Sequence, residues 1–155
     1  MFDKKLRTNR KIKKEKLIHI DGIDKVGKST IDSCLVPYSN GKYMTLDRSF
    51  ISQIAYTRIF KRDVNEDFFW NLFIKSYQRG DIFIVLNVDD DLLMKRFDEL
   101  NEKDLQKEEI QYHKLIFNKV IQEAITLGIR IDIINTTNQT IQETLETIID
   151  IVEKI

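Results

Sequence analysis

Apolar positions along the chain follow two periods that take turns. "KLIHIDG" (16–22) is a near-continuous apolar run closed by Gly22, and "KYMTLDR" (42–48), "DIFIVLNV" (81–88) and "IRIDII" (129–134) are three more runs of strand length. Between them the spacing turns helical. One helix starts at Lys28 and is expected to end before Pro37, because proline cannot continue it. A second covers Phe50 to Phe60, with Ile51, Ile54, Ala55 and Ile59 on one face. "NEDFFWNLFIKSYQRG" has acids in its first turn, with Arg79 and Gly80 at its end. Helices are also predicted over "DLLMKRFDEL" and from about Leu105 to Leu127, stopped by Gly128. Thr140 and Glu143 make a capping-box pattern that opens a last amphipathic helix to Ile155.

Strands alternating with helices predict an α/β fold, an open and mostly parallel sheet of about four strands flanked by helices. The first two strands are about 20 residues apart, enough for a parallel crossover through one helix. Ligands of such sheets bind beyond the carboxyl ends of the strands. Gly22 to Thr30, Asp47 with Arg48, and the residues after Val88 and Ile134 therefore belong on one edge.

Composition narrows the classes. The 155 residues, 42% hydrophobic, suit a single domain over 16–155 behind a basic lead-in over 1–15. No apolar run is long enough for a membrane span, and the first residues are too charged for a secretory signal. One cysteine, Cys34, excludes an internal disulfide and fits a reducing, cytoplasmic setting. Lys plus Arg balances Asp plus Glu at 25 each, so the whole chain has no bias toward nucleic acid. Residues 4–16 carry eight basic side chains against one acid, but no aromatic residue for stacking on bases, and they read as a solvated lead-in.

The stretch "IHIDGIDKVGKST" changes the picture most. Gly22 to Ser29 matches G-x-x-x-x-G-K-[ST] in full, with a strand before it and a helix after it. Gly22 and Gly27 allow backbone angles that let successive N–H groups converge on phosphate oxygens. Lys28 adds a point charge toward the β and γ phosphates, Ser29 can ligate Mg²⁺, and the following helix aims its positive end at the same place. Asp24, Lys25, Val26 and Thr30 complete the candidate ATP- and phosphate-binding stretch.

"IDGIDKVGKST" resembles the loop of the thymidylate kinase family, and "LDRSFISQIAY" is similar to that family's Asp-Arg-aromatic motif followed by Ser-x-x-Ala-Tyr. "DIFIVLNVDDDLLMKRF" resembles its strand leading into a helix and lid, and "IDIINTTNQTIQE" its last strand and base loop. The resemblance implies a P-loop NTPase-type fold and phosphoryl transfer from ATP to a deoxynucleoside monophosphate, with Mg²⁺ as cofactor. Lys28 and Ser29 would hold the donor phosphates and metal. Arg48 would bridge the acceptor phosphate, with Asp47 near the metal. Asp24 would receive the acceptor sugar hydroxyl and Tyr56 would lie near the acceptor sugar or base. Lys25 and Arg96 would add charge to the transferred group, Arg96 when the segment that follows it, about 97–107, closes as a lid. Family members commonly dimerise, so a homodimer is an open expectation.

The chain also departs from the family pattern. Only about 17 residues separate Ser29 from Asp47, where the family has several dozen more, and Ser49 stands in place of the aromatic. Two alternatives stay open: a nucleoside or polynucleotide 5′-hydroxyl kinase, and a nucleotide-binding module that has lost its chemistry. Phe68, Phe69, Trp70 and Phe73 read as core residues by their helical spacing. "VDDD" (88–91) reads as acids favouring a helix start rather than as metal ligands. His19 and His113 stand apart from any cysteine cluster, so no zinc is expected.

Overall fold

The computed structural model describes residues 16–23, 27–99 and 107–155. The basic lead-in and residues 100–106 of the expected lid lie outside that set. Ten elements follow in order: β1 (Lys16–Asp21), α1 (Lys28–Tyr38), β2 (Tyr43–Asp47), α2 (Phe50–Ile59), α3 (Glu66–Gln78), β3 (Ile82–Asn87), α4 (Asp90–Glu99), α5 (Lys107–Thr126), β4 (Ile131–Asn135) and α6 (Ile141–Glu153). The four strands pair in the order β2-β1-β3-β4. Every pairing is parallel, with Ile20 beside Asp47, Ile18 beside Ile82 and Asn87 beside Asn135. The expected α/β architecture is the observed one.

Side-chain alternation along β1 divides the core into two layers. Ile18 and Ile20 are fully buried. They lie on the face covered by α1 and α6, where Thr45 donates to the Asp32 carbonyl and Tyr43 donates to Glu153. His19 points to the other face and stacks on Phe83 at 4.4 Å, with Phe50 and Phe73 beyond. There α2 packs on both α3 and α5. Each fully buried Ile or Phe contributes roughly 1.5–3 kcal/mol relative to exposure, so this double core holds the strand ends in fixed register.

Two expectations need correction, the end of α1 and the burial of Phe68. Helix α1 runs through Pro37 to Tyr38. A proline in the last turn forfeits one hydrogen bond only, and the helix end is closed by Ser39 donating to Leu35 and Gly41 to Val36. Helix α5 runs from Lys107 to Thr126, close to the bounds expected from about Leu105 to Leu127, and its first turn carries Glu108 and Glu109. Phe68 is exposed; it sits five residues before buried Phe73, well off the inward face that Phe69 and Trp70 share. Cys34 is half-buried at the core margin. Among the described residues no helix is long and apolar enough to cross a membrane.

Candidate active site

The G-x-x-x-x-G-K-S stretch bridges β1 and α1, as its spacing predicted. Gly27 has φ 92° and is the residue on which α1 opens, a left-handed position that favours glycine. Gly22 also has a positive φ, 149°. Lys28 is buried, 4% exposed, and its Nζ donates to the Ile23 carbonyl at 3.5 Å, so its charge folds back over the loop. Ser29 and Thr30 are exposed on the first turn. A Cβ placed on Gly27 would lie 4.0 Å from an Nη of Arg96, so that guanidinium, from the last turn of α4, reaches the loop. The roles expected for Asp24, Lys25 and Val26 fall outside the described residues.

The second half of the site comes from the end of β2. Ser29 donates to Asp47 Oδ2 at 3.4 Å, and Asp47 Oδ1 is buried without a hydrogen-bond partner among the described residues. A hydroxyl beside an unsatisfied carboxylate oxygen is a donor set for a hard divalent cation that keeps waters and substrate phosphates as its other ligands. Among the described residues no group of three or more His, Cys, Asp and Glu could hold a metal on its own. Arg48, next in the chain, has a left-handed backbone, φ 55°. Its guanidinium lies 6.0 Å from the centre of the Tyr56 ring, which in turn stacks on Phe60 and meets the edges of His113 and Phe117. The structure thus brings Gly22, Gly27, Lys28, Ser29, Asp47, Arg48, Tyr56 and Arg96 to one end of the sheet.

What holds Arg48 there was not apparent from the sequence. Its N–H donates to the Ile20 carbonyl at 3.3 Å. The N–H groups of Ser49 and Ser52 donate to one carboxylate oxygen of Asp21, at 3.0 and 3.3 Å, and the Ser52 hydroxyl donates to the same oxygen. The other oxygen, Oδ2, is buried with no partner among the described residues. Burial pushes the Asp21 carboxyl up to about 6, against the pull of the Ser52 and Ser49 bonds and of Lys28. The Ser49 hydroxyl bonds His19 Nδ1, and His19 Nε2 meets Asp81 Oδ2 at 2.8 Å. Burial lowers the His19 pKa more than Asp81 raises it, so the ring is neutral inside the sheet. Burial also raises Asp81, but its bonds to Arg79 and His19 prevail and hold it below the ordinary value.

The loops after β3 and β4 close the same edge. Thr136 N–H donates to the Asn87 carbonyl at 2.8 Å, and Asp89 N–H to Thr137 Oγ1 at 2.8 Å. Asp90 pairs with Lys114 and, with Asp91, opens α4, the helix-start role expected of "VDDD". A cavity of about 100 Å³ separates the loop from α5, lined by Gly22, Ile23, Asn87, Lys114, Phe117 and Asn118 among others.

A sequence model described as thymidylate kinase matches residues 36–148, from the last turn of α1 into α6. The chain belongs to the thymidylate kinase family. That is a family of nucleoside monophosphate kinase-like phosphotransferases. No curated protein matches the chain. Among solved structures it is similar to the YorR protein from Bacillus subtilis in complex with phosphorylated GDP, at 17% identity and TM-score 0.75, covering 88% of this chain and 95% of that one. It is also similar to thymidylate kinase from Candida albicans, at 17% identity and TM-score 0.59, over 90% of this chain and 91% of the other. Deoxyadenosine kinase from M. mycoides with bound dCTP matches at 14% identity and TM-score 0.59, over 90% and 100% of the two chains. At these identities the three structures speak for the fold.

Proposed function

We propose that this thymidylate kinase-family protein transfers the γ-phosphoryl group of ATP to a deoxynucleoside monophosphate, thymidylate or a related one, giving the diphosphate. The observation that carries the reading is the pairing across β1 and β2. It sets Ser29, next to Lys28 in the first turn of α1, beside Asp47, and the Arg48 guanidinium lies over the aromatic ring of Tyr56. Donor phosphates are held by the loop amides, Lys28 and the α1 N-terminus. Ser29 and Asp47 are the residues that would hold Mg²⁺, which supplies charge neutralisation on the donor phosphates. Arg48 binds the acceptor phosphate and aligns its attacking oxygen, and Tyr56 borders the acceptor sugar or base. Phosphoryl transfer asks for alignment and positive charge around the moving group rather than covalent help. Lys28 of α1, Arg48 of the β2–α2 connection and Arg96 of α4 supply that charge, and Lys25 and Asp24 belong to the phosphate loop. A cytoplasmic setting goes with this reading.

A second acceptor class, the nucleoside 5′-hydroxyl, draws support from the likeness to deoxyadenosine kinase. One experiment addresses both: purified protein, Mg²⁺ and ATP with a panel of ribo- and deoxynucleoside monophosphates and nucleosides, the products resolved directly. Diphosphate formed from one or more deoxynucleoside monophosphates is the expected result. Monophosphate formed from nucleosides alone moves the assignment to a nucleoside kinase. ATP binding without product from any acceptor overturns both.

A further inference from the structure

We propose that Asp21 is a positioning residue for the transfer reaction: through the backbone of Ser49 and Ser52 it holds Arg48 in the orientation that presents its guanidinium to the acceptor phosphate. The proposal rests on the kinase reading above and goes beyond it by assigning a role to a side chain outside the substrate contacts.

Arg48 occupies a backbone region that side chains adopt rarely, and it persists there only because its surroundings over-determine it. Its own N–H is fixed to Ile20, and the next N–H, that of Ser49, to Asp21. Ser49 is the cap residue of α2, yet its side chain makes no bond to its own helix. In most helices the cap side chain accepts from the N–H three residues on. Here the carboxylate of Asp21, on the neighbouring strand, accepts that bond from Ser52 and the N–H of the cap residue as well. One carboxylate thus performs both halves of a capping box for a helix to which it does not belong.

The choice of a buried acid has a cost that calls for a reason. Asp21 Oδ2 is wholly enclosed and unpartnered among the described residues, and a buried unsatisfied oxygen is normally selected against. A serine at position 49 could have capped α2 locally and left β1 apolar. Instead the Ser49 hydroxyl is committed to His19, and the start of α2 is tied to the residue immediately before Gly22 of the phosphate loop. The same strand end thus sets the position of the donor loop and of Arg48. A shift of one moves the other, which keeps donor and acceptor groups in line.

The test is a double-mutant cycle on the full chain: Asp21→Ala, Asp21→Asn, Arg48→Ala and Asp21→Ala with Arg48→Ala. We expect Asp21→Ala to lower kcat about 100-fold with the ATP dissociation constant changed less than about threefold. Asp21→Asn, whose oxygen can accept the same two amides, should recover most of that loss. In the Arg48→Ala background, removing Asp21 should cost less than about twofold further, because a group acting through Arg48 has nothing left to act on. Equal losses in the two backgrounds overturn the proposal. If Asp21→Ala does not fold, Ser52→Ala, which removes only the hydroxyl bond, takes its place with a smaller expected loss. A readout independent of turnover is the ¹⁵N heteronuclear NOE of the Arg48 side-chain Nε–Hε. It should be high in wild type and Asp21→Asn and low in Asp21→Ala. Equal values in all three overturn the role of Asp21 even if the kinase assay succeeds, and the expected pattern upholds it even if no acceptor is phosphorylated.

Discussion

Two helix starts in this molecule solve the same problem differently. At α6, Thr140 Oγ1 accepts from Glu143 N–H and Glu143 Oε2 accepts from Thr140 N–H, both at 3.1 Å and only three residues apart. At α2 the equivalent bonds run to Asp21, 28 and 31 residues away. Helix α6 packs on α1 at the back of the sheet and carries no residue of the candidate site. Helix α2 begins directly after Arg48. A cap that only stabilises can be built from neighbours in sequence. A cap that must also aim a side chain is built from the element that carries the other half of the site.

Measurements on both helix starts test this difference. The largest expected effects lie beside α2. Arg48→Ala should reduce transfer by 10³-fold or more while ATP binding, measured by calorimetry, stays near wild type. Normal turnover in that variant would remove the functional meaning of the α2 start. Lys28→Ala should lose ATP affinity and transfer together, separating the donor half from the acceptor half. Next in size is a pH effect. The Asp21 carboxyl is raised to about 6 in the folded protein, so the folded state holds this proton more tightly than the unfolded chain does. Stability is therefore lost as pH rises from about 4 to about 6. Urea unfolding of wild type and Asp21→Asn across pH 4 to 7 should show the variant gaining, relative to wild type, on the order of 3 kcal/mol over that window. A constant difference would mean that the acid is not buried as a charge. The smallest effect belongs to α6: Thr140→Ala should cost about 1 kcal/mol in the same unfolding experiment with kcat unchanged.

The same contrast explains what could be read from the sequence. The phosphate loop, the Thr140–Glu143 cap and all four strands were legible because each is written in residues a few positions apart, as period, glycine placement or cap chemistry. Asp47 and Arg48 could be placed on the same edge as Gly22 because a parallel sheet puts every strand's carboxyl end on one side. The network of Asp21, Ser52, Ser49, His19 and Asp81 was not legible, since its bonds join residues about 30 to 60 positions apart. One signal was present in hindsight: His19 and Asp21 are polar residues alternating inside an isoleucine-rich strand, where buried polar groups need partners. Helix α1 ran past Pro37 because the rule against proline concerns helix interiors, and a last turn has little left to lose.

The place of β1 between β2 and β3 has a consequence in time. Ile18 pairs with Thr45 on one side and with Ile82 on the other. On a ribosome adding roughly 5–20 residues per second, β1 meets β2 after a second or a few and then waits on the order of 2 to 8 seconds more for β3. Through that interval one edge of β1 has no partner strand. The nascent chain is thus exposed to mispairing at the very strand that later carries the phosphate loop.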